Sequence, residues 1–137
     1  METVKKDNIQ KSIKKKKSKC YTCFPERKVL KHIIKEIDDM TFHHDMHNRN
    51  MIIVTPKKHY NTLKDFLDTE LISFFRNIDE FCAHWNLNDY SLSFNHGEWQ
   101  THDHFHAKIK ILEKTANRMR GDHFRLYKLI KTYENPV

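Results

Sequence analysis

Residues 101–110 read THDHFHAKIK, with a histidine at every second position: His102, His104 and His106. In a β-strand successive side chains point to opposite faces, so residues two apart share one. Strand geometry therefore groups His102, His104, His106, Lys108 and Lys110 on one side. The other side receives Asp103, Phe105, Ala107, Ile109 and Ile111. Apart from Asp103 that second side is apolar and belongs in a core. The histidine side then faces a cleft or solvent, with neighbours about 7 Å apart at roughly 3.3 Å rise per residue.

The flanking sequence builds a domain around this stretch. Upstream, YSLSFN (90–95) alternates as a strand, and HGEWQ (96–100) turns at Gly97, so the two strands form an antiparallel hairpin. Further upstream, Leu71, Phe74, Phe75, Ile78, Phe81, Cys82 and Trp85 fall on one face of a long helix that Thr62 or Asp68 can cap. NMIIVTPKKHY (50–60) is a buried strand stopped at Pro56, MTFHHDM (40–46) a short strand, and KVLKHIIKEI (28–37) a strand or short helix. His43, His44 and His47 read as polar loop residues. Downstream, Phe124, Tyr127, Leu129 and Ile130 give a C-terminal helix interrupted upstream by Gly121.

The 137 residues suit one domain. Residues 1–19 carry eight lysines against Glu2 and Asp7, and so hold +6 of the chain's net +7. The body is close to neutral, and KSIKKKKSK (11–19) reads as a disordered basic tail able to contact nucleic acid or an anionic membrane surface, to act as a nuclear address, or simply to solubilise the chain. The division expected is a tail over 1–19 and a domain over 20–137. No apolar run is long enough to span a membrane, and the N-terminus has no apolar segment of the secretory type. Three cysteines, Cys20, Cys23 and Cys82, argue for a reducing setting, cytoplasmic or nuclear, and for metal or free thiols over disulfides.

A histidine row of this kind supports three chemistries: a metal site completed from elsewhere in the chain, a nucleophilic imidazole with neighbours that hold phosphoryl oxygens, or an inert polar face. Imidazole has a pKa of about 6.5 and needs no activating base near neutrality. Cys20 and Cys23, two residues apart in CYTC, suit two thiolate ligands of a tetrahedral zinc. Cys82, on the helix stripe, reads as a small buried hydrophobe.

NHGEWQTHDHFHAKI (95–109) resembles the signature of the histidine triad (HIT) superfamily, His-φ-His-φ-His-φ-φ with φ apolar. IIVTPKKHYNTLKDF (52–66) resembles the segment before that family's long helix, and CYTC resembles the Cys-x-x-Cys that opens its zinc-bearing branches. The pieces stand in the family's order across residues 20–112. The resemblance implies an α+β fold, a HIT-like antiparallel sheet of about five strands with a long helix and a C-terminal helix. It implies a homodimer and attack on the α-phosphate of a nucleotide or nucleotide conjugate, by hydrolysis or nucleotidyl transfer. It further implies His104 as nucleophile and His106 as phosphate contact. Asn95, Gln100 and Thr101 would assist on the phosphate and leaving-group side, and Asp45 would bind ribose hydroxyls. Structural zinc would be held by Cys20, Cys23, His59 and His102. Two departures stand out: Asp103 occupies a φ position, and Met51 stands where relatives commonly carry a histidine. Two rival readings are a hydrolytic zinc on the triad itself and a non-catalytic, zinc-stabilised module whose lysine-rich tail binds nucleic acid.

Overall fold

The computed structural model describes Cys20, Thr22, Cys23, residues 31–37 and residues 39–134; the basic tail lies outside the described residues. Five strands form one antiparallel sheet: β1 (Ile33–Ile37), β2 (Met40–His44), β3 (Met51–Pro56), β4 (Tyr90–Phe94) and β5 (Ala107–Ile111). Their spatial order is β1-β2-β3-β5-β4. Among the described residues, two helices, α1 (Asp68–His84) and α2 (Glu113–Glu134), pack with it in an α+β architecture.

The core lies between one face of this sheet and the helices. Met40, Phe42, Ile52, Val54, Ala107, Ile109 and Ile111 supply the sheet side; Phe74, Ile78, Phe81 and Cys82 of α1 and Ala116 and Met119 of α2 supply the helix side. The α1 stripe is thus core, and Phe42 stacks on Phe81 with ring centroids 4.2 Å apart. Fully burying side chains of this size contributes about 1.5–3 kcal/mol each. Thr62 caps a short 3₁₀ turn, Leu63–Asp65, by accepting from Lys64 N. The first turn of α1 is held instead by Glu70, whose carboxylate accepts from Leu67 N.

Three local expectations need correction. The second hairpin strand begins at Ala107, not at Thr101; residues 101–104 are bends. Phe105 N–H donates to the Tyr60 carbonyl at 2.6 Å, which draws this stretch towards the chain after β3. Gly121 does not interrupt α2, which runs through it because helical propensity is only a weak constraint when the flanking turns pack. His43 and His44 lie in β2 rather than in a loop, with His44 buried on the core side.

Edge strand β4 leaves Tyr90, Leu92 and Phe94 exposed. The loop that joins it to β5 turns at Gly97, whose φ of +67° favours glycine.

Candidate metal centre and the sheet face beside it

Four potential ligands from three segments converge: Cys20 and Cys23, His59 just after β3, and His104 just before β5. One ligand atom from each lies within 4.8 Å of all the others. Cys23 Sγ is 3.2 Å from His59 Nδ1 and 3.4 Å from His104 Nδ1, and Cys20 Sγ is 3.5 Å from His104 Nδ1. A tetrahedral zinc with bonds of about 2.3 Å to sulfur and 2.0–2.1 Å to nitrogen sets sulfur and nitrogen about 3.5 Å apart. The spacing and the S₂N₂ donor set therefore fit a tetrahedral ion.

His104 is prepared as a ligand. It is 1% exposed, and burial, the leading cause, holds its pKa below the usual imidazole value, so the ring is neutral near pH 7. Its Nε2–H donates to the Pro56 carbonyl at 2.7 Å. A carbonyl only accepts, so this bond fixes the proton on Nε2 and turns the Nδ1 lone pair to the sulfurs. The chain positions both partners: β3 ends at Pro56, and three residues later His59 closes the other side, its ring perpendicular to that of His104 at 5.0 Å.

The ligand group differs by one residue from the expected set. Cys20, Cys23 and His59 come together as expected, but His104 takes the place expected for His102. His102 is exposed, on a bend ahead of the strand, with its ring 5.6 Å from that of His106. His104, expected as the nucleophile, has both ring nitrogens committed.

His106 is arranged in the opposite sense. Its Nδ1–H donates to the His104 carbonyl at 3.3 Å, which leaves the Nε2 lone pair unprotonated. The ring is half-buried, and its pKa is lowered first by burial and then by the neighbouring His102, Lys108 and His43. In register, Ala107 pairs with Val54 on one side and Phe94 on the other. One step outward, that register sets Thr55 and Asn95 on either side of His106. Together these residues occupy the sheet face opposite the core.

The remaining expected residues divide. Asn95 is half-buried at the end of β4, beside His106. Gln100 braces the hairpin loop: its Nε2–H donates to the Asn61 carbonyl at 2.7 Å and its Oε1 accepts from Gly97 N at 3.2 Å. Thr101 is exposed. Asp45, 3% exposed, is spent on its own loop. Its Oδ2 accepts from His47 N and from Arg49 N and Nε, and its Oδ1 accepts from Arg49 Nη2 at 2.9 Å. Burial alone would raise its pKa, but the Arg49 contacts outweigh it and hold the carboxyl below its usual range. Lys108 stands two residues after His106, on the face where strand alternation groups the two, though the sequence alone assigned it no role.

No protein-family model matches the chain, and no curated protein matches it in sequence. Solved structures do match in fold. A HIT family hydrolase from Legionella pneumophila superposes with a TM-score of 0.56 at 18% identity, covering 66% of this chain and 89% of its own. Plasmodium falciparum diadenosine triphosphate hydrolase gives 0.54 at 20% identity, covering 75% and 76%. A histidine triad nucleotide-binding protein from Candida albicans gives 0.52 at 18% identity, covering 57% of this chain; the match spans 63% of that protein's length. The fold is that of the histidine triad proteins. Among the described residues no helix is long and apolar enough to cross a membrane.

Proposed function

We propose that the chain is a nucleotide hydrolase or nucleotidyl transferase in which His106 is the nucleophile and a structural zinc is held by Cys20, Cys23, His59 and His104. The observation that carries this reading is the pair of opposed tautomers. His104 turns Nδ1 to the sulfurs, while His106, with Nδ1 bound to the His104 carbonyl, turns Nε2 outward. The metal ligand thus orients the nucleophile through one backbone carbonyl.

His106 Nε2 attacks the α-phosphorus. A P–N bond forms, and the bond to the leaving group breaks with its electron pair on the departing atom, which takes a proton. Water or another acceptor then attacks the nucleotidyl-imidazole, breaking P–N and returning the lone pair to Nε2. Asn95 lies within the same patch and is suited to hold a phosphoryl oxygen. Bound zinc supplies stability at the junction of three chain segments. Four protein ligands leave it no open position, which argues against the hydrolytic-zinc reading. Names of the solved relatives, a nucleotide-binding protein and a diadenosine triphosphate hydrolase, support the substrate class. The exposed row Tyr90, Leu92 and Phe94 on edge strand β4 supports pairing with a second copy.

The test is covalent capture. Zinc-loaded protein is mixed with α-labelled nucleoside triphosphate, quenched and mapped. An acid-labile label on His106, lost in His106→Ala with zinc content unchanged, is the expected result. A label on His104 or His102, or full turnover by His106→Ala, overturns the reading.

A further inference from the structure

We infer that Lys108 is the cation that holds the phosphoryl oxygens of a nucleotide lying over His106; the inference rests on the function proposed above. Lys108 follows His106 by one pleat of β5, an interior strand, so its stem rises from the same face about 7 Å further along. Its register partners are Ile53 on β3 and Ser93 on β4, with His43 beyond Ile53.

The position is unusual for a lysine. It is half-buried in the middle of a sheet, and no ion pair among the described residues includes it. Lysines withdrawn from water are normally paired. From β2 to β4 this face offers only neutral or cationic side chains, such as Thr41, Thr55, Ser91 and Ser93. Glu36 on β1, opposite Thr41, is the nearest strand carboxylate on that face. Three strand spacings separate β1 from β5, about 14 Å. That exceeds the screening length of about 8 Å in physiological salt. Among the described residues Lys108 thus has no ion-pair partner, and it stands beside an imidazole whose Nε2 is turned outward. Its natural complement is an anion presented to that nitrogen, and lysine suits phosphate as a compact point charge.

The site then discriminates phosphorylated nucleosides from nucleosides by a fixed charge. Lys110 is the internal control: it lies one pleat further along, is exposed, and faces Ser91 and Met51.

Calorimetric titration of the zinc-loaded full chain with AMP and with adenosine tests this. A hydrogen bond to a charged group contributes about 1.5–3 kcal/mol, so Lys108→Met should weaken AMP binding roughly tenfold to a hundredfold. It should leave adenosine binding unchanged and flatten the salt dependence of AMP binding. Lys108→Arg should bind AMP within about threefold of the parent, and Lys110→Met should match it. Equal loss of AMP and adenosine binding in Lys108→Met, parental AMP binding by that variant, or no AMP binding by the parent overturns the inference. His106→Ala separates the two claims. AMP binding that still depends on Lys108, with no covalent label in the parent, sinks the nucleophile and keeps the phosphate site. A label on His106 with AMP binding indifferent to Lys108 does the reverse.

Discussion

The molecule holds two histidine clusters that obey different rules. Where the cysteines gather, His104 has Nε2 on the Pro56 carbonyl and Nδ1 beside two sulfurs, so both its ring nitrogens have a partner. Beneath α2, His44, His123 and His32 pack with Phe124: the rings of His44 and His123 are 4.9 Å apart, and those of His32 and Phe124 5.4 Å. There, His44 Nε2, His32 Nδ1 and His123 Nδ1 are buried with no hydrogen-bond partner among the described residues. In the first cluster the imidazole is aimed at directed partners, as a metal ligand has to be; in the second it is a flat packing surface. The contrast shows that histidine count alone says nothing about function, whereas the commitment of each ring nitrogen does.

The largest effect expected from this comparison is metal removal. Structural zinc contributes apparent free energies of about 10–16 kcal/mol in small metal-dependent folds. A strong chelator, or Cys23→Ser, should lower the melting temperature sharply and loosen residues 20–23 and 57–60 in hydrogen exchange. A melt indifferent to chelator would erase the distinction between the clusters.

Acid should act on the second cluster. Burial, followed by His123 and Arg120, pushes the His44 pKa down to about 3. Burial likewise lowers His123 and, with Lys31, His32. A base with a depressed folded pKa stabilises the fold in its neutral form. That stability is complete above the unfolded value near 6.5 and is lost as pH falls from there towards 3, at no more than about 1.4 kcal/mol per pH unit for His44. The metal ligands also take up protons in acid, so the informative quantity is the difference between the parent and His44→Phe. The variant should show a shallower loss of stability between pH 6 and pH 4; identical slopes would mean the cluster carries no linkage.

Asp45→Asn should cost about 1–2 kcal/mol in chemical denaturation, because it removes a charged two-pronged bond to a partly exposed Arg49. If Asp45 serves the ribose instead, KM will rise while stability stays level. The smallest effect is Gly121→Ala, at a helical site where an added Cβ meets nothing within 4 Å. It should stabilise by about 0.5–1 kcal/mol and stiffen the helix carrying His123. Destabilisation would mean that α2 needs its glycine.

Much of this was legible in the sequence. The core stripe of α1, the buried run before Pro56, the Cys-x-x-Cys and His59 each carry a local pattern that tertiary structure preserved. The histidine that joins the cysteines was off by one pleat, His104 rather than His102, for a physical reason. Alternation at residues 101–106 looks like strand, but the chain bends there and the strand begins at Ala107. Asp103 was the signal. Starting the pattern at His102 sets a carboxylate at an apolar position, whereas starting at His104 sets Phe105, Ala107 and Ile109 there, all buried. The Arg49 contacts of Asp45 were not legible, because they arise from side-chain geometry rather than from pattern.

The most direct test of the account is the zinc content of purified His102→Ala, His104→Ala and His106→Ala. One zinc per chain is expected in the His102 and His106 variants, with loss only in the His104 variant. Zinc retained by His104→Ala and lost by His102→Ala would contradict it.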